Sequence, residues 1–290
     1  MPPTALLVRG VLTGDEFMSL VVNYNSAAVN AHRSLNTTSK QLQGSIQRLS
    51  SGMRVNSAAD DPSGLVISEQ MEAQGEGMGQ AIRNANDGVN LVKTGEVALN
   101  EVHNLLRQMR TLALHAANSG ANSTEAVDAD QAALDKAVEA IGRISSTTEF
   151  NSKPLLDGSF TGQVFQIGSD STDTVTLDIP GADPATLGVD ALDLTGDPAG
   201  AIDAIDTAIN SVSQTRSTLG SFQRNTLETT VNSLTVAQEN VQASVSTIRD
   251  ADISEEMVDF TRNNIMLQAG TSMLAQANQA PQQVLSLVRG

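Results

Sequence analysis

Apolar residues recur at close to 3.5-residue intervals over most of this chain, and that period leaves few options for its fold. Met78, Ile82, Ala85, Val89 and Val92 step by four, three, four and three, and Leu99, Val102, Leu106, Met109 and Ala113 keep up the alternation. Downstream, Ile202, Ile205, Ile209 and Val212 are followed by Leu227, Val231, Leu234, Gln238, Val241, Val245 and Ile248, with one polar member. A repeat near 3.5 holds one narrow seam against a partner helix, so it predicts coiled-coil packing rather than a thick globular core. Composition points the same way. Aromatics make up 2% of the 290 residues, with no Trp and one Tyr, so the bulky rings around which compact domains close are scarce.

The remaining segments fall around these seams. Ala28, Ala31, Leu35, Leu42, Ile46, Leu49 and Met53 lie on one predicted helical stripe. A turn follows at 56–61, and Asp61-Pro62 supplies an N-cap ahead of a proline whose missing N–H costs nothing at the first helical position. Asn118–Asn122, with Gly120, breaks the long helix. Asn122 and Glu125 have capping-box spacing for a shorter helix that runs to about Ser146. Residues 149–197 are richer in Gly, Asp, Thr and Pro, and Gln163–Ile167 and Thr174–Ile179 alternate apolar with polar, as short strands do. Helical pattern returns after Asp197-Pro198. Asp252 and Glu255 then cap a final helix running toward Pro281, which carries Met257, Phe260, Met266, Leu267, Met273 and Leu274. The predicted fold is mainly α: a long antiparallel coiled-coil helical bundle from both chain ends, with a small β insert in the middle.

Several functions are excluded on chemical grounds. The formal net charge of −16 argues against nucleic acid and against a membrane surface, since both demand a surplus of Lys and Arg. Cysteine is absent, which removes disulfides and thiolate metal sites. No apolar run approaches the roughly 20 residues that span a bilayer. Ala5–Leu12 is interrupted by Arg9 and Gly10 with no cleavage site after it, unlike a signal peptide. Gly75-Glu-Gly-Met-Gly79 lacks the preceding strand and following Lys of a phosphate loop, so it reads as a weakened stretch of helix. His32, His103 and His115 lack zinc-ligand spacing. Asp128 with Asp130, and Asp170 with Asp173, lack the Gly and terminal Glu of a calcium loop. No Ser occupies a nucleophile elbow. No catalytic, cofactor or metal residues are expected, and the chain does not read as an enzyme.

Long motifs in fixed order carry a specific resemblance. The first is Leu49-Ser-Ser-Gly-Met-Arg-Val-Asn-Ser-Ala-Ala-Asp-Asp-Pro-Ser-Gly-Leu-Val-Ile-Ser68. Asn84-Ala-Asn-Asp-Gly-Val-Asn-Leu91, the stretch Leu105–Asn118 and Glu149-Phe-Asn-Ser-Lys-Pro-Leu-Leu-Asp-Gly158 follow. Near the end stand Ile248-Arg-Asp-Ala-Asp252 and the run Gln268–Leu287. Together they resemble bacterial flagellin, over about residues 18–160 and 200–290.

That resemblance implies a structural subunit, exported unfolded through the flagellar type III apparatus, that polymerises into the extracellular motility filament. The hook–filament junction protein, whose ends are similar, is the alternative. Residues 1–17 read as an extension ahead of the usual start, Met18. Residues 18–60 and 251–290 would form the inner filament core, and 61–148 and 198–250 the outer core. The region 149–197 is too short for large outer domains. Polymerisation would involve Leu35, Leu42, Ile46, Leu49, Met257, Phe260, Met266, Leu267, Met273 and Leu274, with partners largely in neighbouring subunits and disordered ends in an isolated one. Other implied partners are an export chaperone at the carboxy-terminal region, cap and hook-junction proteins, and a host innate receptor. The family's receptor stretch matches residues 107–115, with Gln108, Arg110, Thr111, Leu112 and His115 on the face. Gln108 and Thr111 stand where Arg and Glu are usual, so weakened recognition is expected.

Overall fold

The computed structural model describes the backbone of residues 24–289 and the side chains of 24–279; the extension 1–17 and Met18 lie outside the described residues. The helices are α1 (Ser26–Ser51), α2 (Pro62–Ala116), α3 (Thr124–Thr147), α4 (Pro184–Leu187), α5 (Pro198–Ser221), α6 (Thr229–Arg249) and α7 (Ile253–Arg289). Strands β1 (Glu149–Phe150), β2 (Lys153–Pro154), β3 (Gln163–Gln166) and β4 (Thr174–Leu177) form two separate antiparallel hairpins. The chain divides into two compact units. One comprises the chain up to Leu65 together with everything from Ile248 on; the other is Val66–Thr247.

The first unit is built on α1 and α7. Asn25 caps α1 by accepting from the Ala28 amide at 3.0 Å, and left-handed Gly52 ends it by donating to Arg48 O at 2.8 Å. Asp252 caps α7, its Oδ1 accepting from the Ser254 amide at 2.8 Å. The two helices run antiparallel. Asn25 Nδ2 donates to Ala277 O at 2.8 Å, Leu35 lies over Gly270, and Arg48 pairs with Glu256 at 3.2 Å. An antiparallel bridge between Met53 and Asp250 closes the base, with Arg54 N donating to Arg249 O at 2.7 Å and Ala251 N to Gly52 O at 2.9 Å.

This register defines the seam. On α1 it runs Ala28, Ala31, Leu35, Thr38, Leu42, Ser45 and Leu49; on α7 it runs Glu256, Phe260, Asn263, Leu267, Gly270, Leu274 and Ala277. Both sets keep strict three–four alternation. Ile46 therefore does not belong to the stripe: from Leu42 the heptad steps three, to Ser45, which is 3% exposed while Ile46 is 50% exposed. Met53 is also off it, because Gly52 has already ended the helix. Of the chain ends, the described stretches Ser26–Ser51 and Ile253–Arg289 are helical, and each arm supplies the other with a seam.

In the second unit the buried stripe residues of α2, α3 and α5 join one core, while the α6 stripe stays half-buried except at Val245. Leu99, Val102, Leu106 and Met109 of α2, Leu134 and Ile141 of α3, and Ile205, Ala208 and Val212 of α5 are all buried, with Leu155, Leu156 and Ile179 filling between them. α3 begins one residue later than expected. Extended Ser123 is the cap, accepting from Ala126 N, while Asn122 instead donates to His115 O. A two-residue turn with positive φ at Asn151 and Ser152 makes the β1–β2 hairpin, which the sequence pattern did not announce. Helix α2 passes unbroken through Gly75, Gly77 and Gly79. A Cβ at Gly77 would meet Ser169 Cβ at 3.2 Å, so the β3–β4 loop approaches closely there. At Gly79 a Cβ would come closest to the movable end of Gln238, and at Gly75 it would make an ordinary contact with Val241 at 3.6 Å. Between α5 and α6 the helix widens to a π segment, Phe222–Glu228. The buried steps Val212, Leu219, Phe222 and Leu227 end in a five-residue interval, so the wide turn absorbs one extra residue.

Candidate assembly surface

The first unit cannot enclose its own apolar residues. Two helices cover one stripe each, and among the described residues of this unit Val55 alone is a buried apolar side chain. Its other buried groups are Ser45, Glu256 and Asn263. Of the ten residues expected at the inner core, Leu35, Leu42, Leu49, Phe260, Leu267 and Leu274 lie half-buried on the α1–α7 seam. Ile46, Met257, Met266 and Met273 point away from it, with Met273 67% exposed. Further exposed members escaped the stripe reading: Val29 on α1, and Ile253, Val258 and Ile265 on α7. A signal for them exists, since Val258 and Ile265, like Met266 and Met273, stand seven apart. On α7 they do not share one face: by heptad position Met257 flanks one side of the seam, Met266 and Met273 the other, and Val258 and Ile265 lie on the side away from it. Burying the open half of each such side chain contributes about 1 kcal/mol. Exposed apolar side chains this numerous on a helix pair mark an interaction surface.

The face on α2 and its neighbours is arranged differently. Gln108, Arg110, Thr111 and His115 are exposed, whereas Leu112 packs on the core. Arg110 forks onto Asp206, Nε to Oδ1 at 2.6 Å and Nη2 to Oδ2 at 3.2 Å. Those hydrogen bonds hold the Asp206 carboxyl below its ordinary range and raise Arg110. His115 Nδ1 sits 2.5 Å from Asp130 Oδ2, and Thr111 donates to Gln108 O at 2.7 Å. Three of the five, Arg110, Thr111 and His115, thus already have side-chain partners within the chain. Among the described residues no group of three His, Asp or Glu side chains could hold a metal ion, and no helix is long and apolar enough to cross a membrane.

Long helices from both chain ends, a seam that pairs them and exposed apolar side chains around it belong to a self-assembling structural protein. Two family models match the chain: the bacterial flagellin N-terminal helical region over residues 22–161 and the C-terminal helical region over 202–288. Flagellin of Halalkalibacterium halodurans is 45% identical, over 93% of this chain and 100% of that one. Flagellin of Bacillus subtilis is 38% identical over 92% and 99%. The flagellar filament 33 kDa core protein of Treponema phagedenis is 38% identical over 93% and 100%. The chain belongs to the bacterial flagellin family. It is a subunit of the extracellular flagellar filament and not an enzyme, and nothing favours the hook-junction alternative.

Proposed function

We propose that the filament is held together at its centre by exposed apolar side chains of α1 and α7. Ile46, Met257, Met266 and Met273 are its main contacts between copies, while Leu35, Leu42, Leu49, Phe260, Leu267 and Leu274 pair the arms within each copy. Residues 18–60 and 251–290 then serve as inner core, and 61–148 and 198–250 as outer core. One observation supports this most: among the described residues of the first unit, large apolar side chains stand 41–67% exposed and Val55 is the one buried apolar side chain. Substituting Val258→Glu, Ile265→Glu and Met273→Glu should abolish growth from filament seeds and leave the helical signal of the second unit intact. Normal filaments from this variant would refute the assignment.

The same exposed side chains on α7 suit an export chaperone that covers the carboxy-terminal helix before assembly, with cap and hook-junction proteins meeting them at the ends of the polymer. On the receptor face, Gln108 offers a neutral amide where an Arg fork would make paired charge-assisted bonds, and Thr111 offers no charge. Arg110 is held by Asp206. Innate-receptor signalling should therefore fall well below that of a flagellin with the usual Arg and Glu, and recover in part on Gln108→Arg with Thr111→Glu. A reporter-cell titration decides this; equal responses from the two proteins refute it.

A further inference from the structure

Methionine is spread unevenly over this chain, and its placement bears on assembly. The sequence holds no Cys, no Trp and one Tyr, but nine Met. Thioethers are therefore the side chains most open to two-electron oxidants such as hydrogen peroxide. The fold treats them in two ways. Met109 and Met78 of α2 are 0% and 8% exposed, and Met53 and Met71 are half-buried. Met257, Met266 and Met273 of α7 are instead 47%, 43% and 67% exposed. A flexible, polarisable thioether suits an irregular apolar contact, and these three are the α7 residues assigned above to contacts between copies.

Oxidation changes such a contact in kind. A lone pair of the thioether sulfur attacks one oxygen of hydrogen peroxide, so that an S–O bond forms and the O–O bond breaks. The proton on the transferred oxygen passes to the leaving hydroxide, which departs as water. Sulfur has lost two electrons and peroxide has gained them. The sulfoxide is polar where the thioether was apolar. Its oxygen is a strong acceptor that an apolar contact leaves unpaired, and one buried unpaired acceptor weakens association by about tenfold. The step is reversible, because a methionine sulfoxide reductase takes two electrons from a dithiol and returns thioether and water. We propose that Met257, Met266 and Met273 are a modification site that controls subunit addition. Oxidised copies are kept off the growing polymer until a thiol-dependent reductase restores them. Met78 and Met109 are enclosed, so the body of the subunit survives the same oxidant. The proposal rests on the contacts between copies assigned above.

The test treats free subunits with hydrogen peroxide, removes the oxidant, locates sulfoxides by peptide mass spectrometry and follows growth on filament seeds. Met257, Met266 and Met273 should react about tenfold faster than Met78 and Met109. Seeded growth should fall about tenfold or more. Reductases for both sulfoxide epimers, supplied with dithiothreitol, should restore it. Met257→Leu with Met266→Leu and Met273→Leu keeps apolar volume and should grow equally before and after the same treatment. Normal growth of wild-type subunits carrying the three sulfoxides would overturn the inference. An equal loss in the triple variant would do the same, as would reduced methionines without recovered growth. The reductase arm is read on the unsubstituted chain, so it decides the matter even where the triple variant grows poorly. Burial between copies is measured separately, by oxidising finished filaments. Methionines that react there as fast as in free subunits would refute the assigned contacts, whereas the block to growth is read on free subunits alone.

Discussion

The two units of this flagellin use the same heptad language to opposite ends. In Val66–Thr247, Leu99, Leu106 and Met109 of α2 are at most 1% exposed, because α3, α5 and the hairpins close over the stripe. In the unit that pairs α1 with α7, seam residues such as Leu42 and Leu267 remain half-open, and among the described residues further apolar side chains such as Met273 are exposed. The period is shared; the number of layers laid against it is not. Both units keep exposed apolar side chains, Val97 of α2 among them, but Val66–Thr247 also encloses a large core.

Truncating one large side chain in each unit tests the contrast most severely. Leu106→Ala opens a cavity in a closed core and should destabilise the second unit by about 2–5 kcal/mol. Leu42→Ala removes a half-exposed side chain with room to collapse around it, and should cost about 1 kcal/mol or less in the free subunit. Urea unfolding followed by helical signal measures both. Comparable losses would show that the α1–α7 pair is as tightly packed as the core, and the comparison would fail.

Much of this was legible in advance for an identifiable reason. Long periodic stretches such as Leu99–Ala113 and Val231–Ile248 declare their helices, and Asp61-Pro62 and Asp197-Pro198 mark where two of them begin. What eluded the pattern depended on partners distant in sequence. Ile46 looked like a stripe residue because a step of four from Leu42 is as helical as a step of three; only α7 decides between Ile46 and Ser45. The close approach of Ser169 to Gly77 has no signal in the helical pattern around that glycine. The pairing of Arg110 with Asp206 spans 96 residues and has no local signature. Met257, Met266 and Met273 of α7 lie off the seam, and periodicity alone does not separate them from the residues that line it.

The π segment offers a smaller and sharper test of how the closed unit keeps its register. Deleting Arg224 should let Phe222–Glu228 relax to ordinary α-helix, keeping Leu227 on Gly88 and costing about 1 kcal/mol or less. Deleting Ser233 from regular α6 should turn every later residue by about 100°, taking Val241 and Val245 off their stripe. That loss should be several times larger, read as the difference in urea midpoint between the two deletions. Equal midpoints would mean that the extra residue is not what the wide turn accommodates.

Acid should separate the units by the least, and for a reason visible in their carboxylates. In Val66–Thr247, five groups lie below their ordinary range. Asp157 is held down by the Ser159 hydroxyl and amide, Asp183 by Thr186, and Asp193 by Thr195 and Gly196. Asp206 is held down by Arg110, and Glu125 by its own amide and Ser123. In the other unit only Asp60, bonded to Ser57, is so placed among the described residues. A carboxyl whose folded value is lowered favours the fold fully above its unfolded value, near about 4. That contribution fades as pH falls through the lowered folded value. Below about pH 4, amides of the capped loops around Thr186 and Thr195 should therefore lose hydrogen-exchange protection before those of the α1–α7 pair, measured relative to each segment's protection at neutral pH. Because these groups are exposed, each contributes little and the shift should be modest. Asp183→Asn with Asp193→Asn keeps acceptor oxygens while removing the charge, and should flatten the acid response of those loops specifically. If protection in α1 and α7 falls first on acidification, or the double substitution leaves the loop response unchanged, the carboxylate caps do not set the acid sensitivity of the closed unit.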